Sequence, residues 1–366
     1  MSDISTVSPP AELLGTATLS GGSTVLVTGG AGFFGELLIK ALLERSIRCV
    51  SIDLETNYVT HPFLTSIRGD IRDTQLLDQL ASRDRFDAIF HLAAIQAHDA
   101  RDKNFLWGSN VQGTVAIAEM ARKFGIPRVV YTSTNCLWGK GMNRPVTEED
   151  LPEPVEIYGR SKWEGEKILL AYKEHFHCII FRCPTIIDSG RLGLLAILFE
   201  FIDEGRRVWV VDGGKNRYQF IYAPDLVDAC LKGMEYDDSG LFNIGSDGVT
   251  TFAETYQYVI DKAGTGAHLA SIPGALILPL MKLAHICNLS PLGPYQYKMI
   301  AAEFEFDTDK IKKSLSWLPT LTNGEMLFKA YAYYHEHRQE IQRRSGVSAH
   351  KRSPRMGVIR LLKWLS

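Results

Sequence analysis

Thr24-Val-Leu-Val-Thr-Gly29-Gly-Ala-Gly32-Phe-Phe-Gly35 decides how the rest of the chain is read. Val25, Leu26 and Val27 make the short β-branched and aliphatic run of a strand buried on both faces of a parallel sheet. Gly29, Gly32 and Gly35 follow at three-residue spacing, with Phe33 and Phe34 between the last two. The apolar residues of Glu36-Leu-Leu-Ile-Lys-Ala-Leu-Leu-Glu44 then recur with helical period. Strand, glycine turn and helix arrive in the order that a dinucleotide site requires. Gly29 permits the tight turn, Gly32 lets the backbone approach a pyrophosphate, and Gly35 lets helix and strand pack. The helix start offers free N–H groups and the positive end of its dipole to the anion.

Arg48-Cys-Val-Ser-Ile-Asp53 reads as the second parallel strand and ends in a carboxylate about twenty residues beyond the glycines, where it accepts ribose hydroxyls. A carboxylate there repels a 2′-phosphate, so NAD is favoured over NADP. Arg68-Gly-Asp70-Ile71 looks like the end of a third strand. Asp70 then either meets the adenine or caps the next helix.

The alternation continues. A short helix over 74–80 precedes a buried strand over 87–94, whose small residues Ala93 and Ala94 leave room for a ligand at its carboxyl end. A long helix over 105–124, a strand over 128–134, a helix over 156–175 and a strand over 178–182 complete a parallel sheet covered on both faces. In the loop after His91-Leu92-Ala93-Ala94, Gln96 and His98 face the crevice or solvent; His91 reads as a packing or hydrogen-bonding residue.

Tyr158-Gly-Arg-Ser-Lys162 places a phenol and an ammonium four residues apart, on one helical face. A neighbouring ammonium and a positive nicotinamide favour the phenolate, and the Thr134 hydroxyl, at a strand end, reaches the same substrate oxygen. Together they suit removal of a proton from a secondary alcohol, or the reverse on a ketone.

In these motifs the chain resembles the extended short-chain dehydrogenase/reductases, the superfamily of NAD-dependent sugar epimerases, dehydratases and hydroxysteroid dehydrogenase-like enzymes. The likeness runs from about residue 24 to residue 334, through the glycine motif, Asp53, Gly-Asp70, His91-Leu-Ala-Ala, Asn110, Thr-Ser-Thr134, Tyr158-x-x-x-Lys162 and Arg182-Cys-Pro184-Thr185. It implies a Rossmann-type doubly wound α/β sheet with a smaller mixed C-terminal lobe that takes the substrate. The expected division is a disordered leader over 1–22, a cofactor domain over 23–183 to which 216–244 returns, a substrate lobe over 184–215 and 245–338, and a tail over 339–366. The resemblance makes Tyr158 the acid/base, has Lys162 bind the nicotinamide ribose and has Thr134 orient the substrate. It sets Ile71, Leu92, Asn110, Thr132 and Pro184 beside the cofactor, and it implies a homodimer through the helices over 105–124 and 156–175.

Departures narrow the chemistry. The dehydratases of the superfamily carry Asp-Glu directly after the catalytic threonine, and here Asn135-Cys136 stands instead, without a strong acid or base for eliminating water. Thr185 replaces the asparagine with which nucleotide-sugar epimerases bind pyrophosphate, and Arg217 lies one residue from the expected arginine. Gln96, Thr134, Asn135, Thr185 and Arg217 form the expected substrate set.

The 366-residue chain has a net charge of −2, which gives no argument for nucleic acid, and six cysteines without metal-ligand or disulfide spacing. No metal site is expected, and a reducing cytoplasm is the simplest setting. After Glu340 there is no acidic residue, whereas Arg343, Arg344, Lys351, Arg352, Arg355, Arg360 and Lys363 are basic. On a helical projection, residues 356–365 show a basic and an apolar face, the layout of an interfacial helix or of one docked on protein. Residues 272–289 are strongly apolar but interrupted by Pro273, Pro279 and Lys282. They read as a helix over the cleft, a lipid-touching surface or a core helix. The expected function is an NAD-dependent sugar epimerase acting on a nucleotide- or lipid-linked sugar, peripheral on the inner face of a membrane. A hydroxysteroid- or hydroxyacyl-type dehydrogenase or ketoreductase is the alternative, and a non-catalytic NAD-binding protein a third reading.

Overall fold

The computed structural model describes residues 21–56, 59–96, 102–193, 195–287, 299 and 301–343. The expected leader over 1–22 lies almost wholly outside these residues, as do His98 and the amphipathic segment 356–365.

Among the described residues eleven strands follow in chain order: β1 Thr24–Thr28, β2 Arg48–Asp53, β3 Leu64–Arg68, β4 Ala88–His91, β5 Arg128–Thr134, β6 His177–Cys183, β7 Thr185–Ile187, β8 Arg207–Val211, β9 Phe220–Tyr222, β10 Gly240–Asn243 and β11 His268–Ile272. Seven of them form one parallel sheet in the order β10-β6-β5-β4-β1-β2-β3. The order reverses between β1 and β4, which opens a crevice at the carboxyl ends of the strands.

Both faces of the sheet are buried. The strand pleat sends alternate side chains to opposite faces, so Val25 and Val27 join one apolar cluster with Leu38 and Leu42 of α1 (Phe33–Glu44). Leu26 joins the other, with Leu77 of α2 (Thr74–Arg83) and Ile117 of a later helix. This is the doubly wound α/β arrangement that the strand–helix alternation predicts.

The helix expected over 105–124 is three pieces. α3 (Lys103–Trp107) passes into a π-helical turn, Gly108–Gln112, before α4 (Gly113–Phe124). At Gly113 a Cβ would stand 2.5 Å from Ile71, so the wide turn lets the helix lie close to the segment after β3. α5 (Ile157–Ala171) follows β5 and is shorter than the expected 156–175. The end of α2 nearer the cleft is capped by Asp73, which accepts from Leu76 N, and not by Asp70.

A third apolar cluster lies away from the sheet. α6 (Leu195–Asp203), α8 (Phe252–Ala263) and the long helix Asn323–Arg343 contribute Phe199, Val259, Met326 and Tyr334 to it. The pairs β8–β11 and β7–β9 are each parallel. Trp317, fully buried, belongs instead to the cluster beneath the main sheet, where its indole N–H donates to the Asp225 carbonyl on α7 (Ala223–Gly233).

α9 (Gly274–Ile286) is continuous through Pro279. Only Gly274 and Ala284 of its residues are buried, which excludes the core-helix reading of 272–289. Leu276, Leu280, Leu283 and Ile286 are 58, 52, 57 and 67% exposed, and their spacing puts them on one face. Among the described residues no helix is long and apolar enough to cross a membrane.

Candidate active site

A cleft of about 290 Å³ opens at the carboxyl ends of β1, β2, β4 and β5. Its floor is the glycine turn. Gly29 has φ of +74°, and a Cβ there would come within 2.7 Å of Ala93 N. At Gly35 a Cβ would stand 2.2 Å from the Gly29 carbonyl oxygen. Each position therefore requires glycine, the first for its backbone conformation and the close approach of β4, the second because the start of α1 rests on the turn itself.

Asp53 ends β2 with one carboxylate oxygen accepting from Ala31 N (3.0 Å) and the other from Glu55 N (3.1 Å). Burial pushes its acid strength down, opposed by those backbone N–H groups. An ionised carboxylate has room for about four hydrogen bonds, so acceptor capacity remains for ribose hydroxyls. Asp70 also lines the cleft but is gripped by Arg72, whose guanidinium holds its carboxyl below the usual range.

Of the contacts expected from the sequence, Gly32, Phe33, Phe34, Ile71, Leu92, Ala93, Ala94, Gln96, Thr132, Tyr158 and Lys162 are brought together on the cleft wall. Tyr158 is half-buried, and desolvation raises its phenol well above the ordinary value; the Thr134 hydrogen bond and the charge of Arg191 oppose that rise. The expected lowering by Lys162 is not among the causes. Lys162 Nζ lies 3.9 Å from the centre of the Tyr131 ring, and burial pulls its ammonium down to about 7 against the opposing charge of Glu166. His91 is held between the hydroxyls of Thr28 (2.8 Å) and Thr114 (2.9 Å), and burial keeps it neutral, near 3. It is the hydrogen-bonding residue that the sequence suggests.

Six expected contacts are not on the cleft wall. Thr134 stands just behind it, bonded to Tyr158 and accepting from Cys136 N (3.1 Å). Asn110 turns its amide to both backbone groups of Ile95 and to Ser161 Oγ (2.9 Å), bracing the loop that carries Gln96. Asn135 donates to the Tyr218 hydroxyl (2.7 Å) and is buried. Pro184 and Thr185 enter β7, where Thr185 pairs with Phe220, and the wall is formed further along by Ile186 and Arg191. Arg217 is exposed and lies within electrostatic reach of Glu254 and Glu305.

Ile95, Ser109, Ser133, Ile186 and Arg191 are lining residues that the sequence reading missed. Ser109 Oγ and Ser133 Oγ are buried without a hydrogen-bond partner among the described residues. Two such hydroxyls on one cleft wall, above glycines that no side chain can replace, fit a ligand rich in hydroxyl and carbonyl groups, as a dinucleotide is. No cluster of metal-ligating side chains occurs among the described residues.

The sequence model of the NAD dependent epimerase/dehydratase family matches residues 25–245. An uncharacterised protein of Sinorhizobium fredii is 35% identical over 343 residues, 93% of this chain and 86% of its own. The N-acetyl-alpha-D-glucosaminyl-diphospho-ditrans,octacis-undecaprenol 4-epimerase of Escherichia coli O157:H7 is 33% identical over 346 residues, 87% of this chain and 97% of its own. Among solved structures, UDP-glucose 4-epimerase of Thermotoga maritima, crystallised with UDP-glucose, superposes with a TM-score of 0.71 at 23% identity over 86% of this chain and 99% of its own, a likeness of fold.

Proposed function

The chain belongs to the NAD-dependent epimerase/dehydratase family, and from that premise we propose that it is an NAD-dependent epimerase that inverts one secondary carbon of a sugar carried through a diphosphate on a polyprenyl lipid. The observation that carries the reading is the state of the dehydratase position. Asn135 is turned away to Tyr218, so the cleft offers Tyr158 and Lys162, with Thr134 bonded to Tyr158 just behind its wall, for exchanging a proton with a secondary hydroxyl, and at positions 135 and 136 no acid–base pair for eliminating water. The lipid carrier is supported by the E. coli relative, which is matched over nearly its whole length.

Gly29, Gly32, Phe33, Phe34 and Gly35 hold the dinucleotide diphosphate, and Asp53 the adenosine ribose. NAD, when bound, supplies an acceptor and then a donor of hydride. Tyr158 Oη takes the proton of the reacting hydroxyl and later returns it. Thr134 Oγ1 aligns that hydroxyl, and Lys162 would hold the nicotinamide ribose.

The exposed stripe on α9 and the excess of basic residues after Glu340 support peripheral binding to an anionic membrane surface on the cytoplasmic side. Pairing of two copies through α4 and α5 belongs to the same proposal, and light scattering checks it.

The test is incubation of the full chain with undecaprenyl-diphospho-N-acetylglucosamine and, separately, with UDP-N-acetylglucosamine, with products identified by NMR. Inversion at one carbon, faster on the lipid-linked sugar, is the expected result. Accumulation of NADH with a ketone product makes the protein a dehydrogenase instead.

A further inference from the structure

Tyr131 of β5 and Lys162 of α5 are 1 and 2% exposed. The Lys162 Nζ stands 3.9 Å from the centre of the Tyr131 ring. Gly165, three residues further along α5, makes the approach possible: a Cβ there would stand 2.4 Å from the Tyr131 hydroxyl oxygen. Without a side chain at that position helix and strand close up, and the ammonium is laid over an aromatic face. Lys162 also lines the cleft, so the ring bears on where its charge stands there.

An ammonium taken out of water needs a compensating partner. Glu166, one helical turn beyond Lys162, is the obvious candidate, but its carboxylate is gripped by Arg182 of β6, at 3.1 and 3.3 Å from Nε and 2.8 Å from Nη2. It acts on Lys162 through space, against the effect of burial. Cys183 faces Lys162 from β6 as a thiol that burial pushes up to about 12, and so stays uncharged. His91 of β4 stacks on the Tyr131 ring, with 5.3 Å between the ring centres, and is kept neutral, so it brings no second cation to that ring. Tyr158 shares the α5 face with its phenol protonated. Burial likewise holds the Tyr131 phenol well above its ordinary value, against a weaker opposing contact with Thr114. What Tyr131 offers Lys162 is an uncharged, electron-rich face, which attracts a cation most strongly where water is excluded.

We infer that Tyr131 is the positioning residue for Lys162, and that the face of its ring, not its hydroxyl, holds the ammonium in place and keeps it charged. The importance of this contact for turnover rests on the reading above, in which Lys162 holds the nicotinamide ribose. The contact itself does not depend on that reading, and the experiment separates the two.

Tyr131→Phe is made in the full chain, and mono-, di- and trifluorophenylalanine are then incorporated at the same position. Fluorine drains the ring face of electron density and leaves its shape almost unchanged, so melting temperatures should stay close together across the series. The ionisation of Lys162 is followed by NMR of isotope-labelled lysine between about pH 5 and 10, with its signal assigned by its absence from Lys162→Met. Tyr131→Phe is expected to keep the wild-type midpoint to within about 0.3 pH unit, and each added fluorine to lower it, by about one unit in all, because a weaker ring attraction disfavours the charged form. A midpoint that does not move with fluorination, or a fall already complete in Tyr131→Phe, overturns the inference. Calorimetric titration with NAD over the same pH range tests the reading on which the role in turnover rests. A midpoint that falls while NAD affinity keeps its pH profile upholds the Tyr131–Lys162 contact and counts against Lys162 as a cofactor ligand.

Discussion

Lys162 is the residue whose environment departs furthest from what its sequence position suggests. Four residues after Tyr158, it reads as the ammonium that acidifies the phenol, yet the fold buries it over the Tyr131 ring and brings its own ionisation down to about 7. Because this folded value is depressed below the ordinary lysine value, the unfolded chain binds more protons between pH 7 and about 10, and stability rises with pH across that window. Below pH 7 both states are charged and the dependence disappears. Lys162→Met is expected to remove this slope, of about one proton, from melting temperatures measured between pH 7 and 10; an unchanged slope counts against the assignment. At Tyr158, replacement by phenylalanine keeps the ring and removes the proposed proton carrier. Turnover should fall by about 10²- to 10⁴-fold while calorimetry shows NAD still bound.

At the scale of elements, α5 and β6 are locked by one buried ion pair. Arg182 and Glu166 are 4 and 2% exposed and meet at 2.8 Å, with the guanidinium 5.1 Å from the centre of the Trp138 ring. The same α5 carries Tyr158 and Lys162, so the pair also fixes where the reacting groups stand. Removing one partner leaves a buried charge unpaired. Arg182→Leu is expected to cost about 3–5 kcal/mol in urea unfolding, and adding Glu166→Leu should recover much of that loss. If the double variant is no more stable than the single, the pair is not the tie described. The π-helical turn before α4 has a different origin. Periodicity alone predicts one straight helix over 105–124, because the hydrophobic pattern is continuous; the approach of Gly113 to Ile71 is a contact between segments distant in sequence.

For the whole molecule the question is where the apolar stripe of α9 goes. Leu276, Leu280, Leu283 and Ile286 face outward together, and their replacement should cost the fold little, within about 0.5 kcal/mol, because they pack on little. The double variant Leu280→Glu, Leu283→Glu should keep the wild-type melting temperature and lose co-sedimentation with vesicles containing phosphatidylglycerol. Wild-type binding should weaken as salt screens the basic residues after Glu340. Undiminished sedimentation of the variant rejects the stripe as a lipid contact.

The glycine turn, Asp53, the strand–helix alternation and Tyr158-x-x-x-Lys162 were legible in the chain because each depends on residues close in sequence, where backbone conformation and periodicity act directly. The composition of the cleft wall was legible only in part. Asn110, Asn135 and Arg217 are polar residues at plausible positions, but their side chains are engaged elsewhere by Ile95, Tyr218 and a pair of glutamates that only folding brings near. Arg191 enters the cleft because a turn after β7 is anchored to a helix more than a hundred residues on. Local sequence thus determined the sheet and the helix that carries Tyr158 and Lys162, and tertiary packing decided which charges face the cleft, since burial and partner geometry are properties of the folded chain.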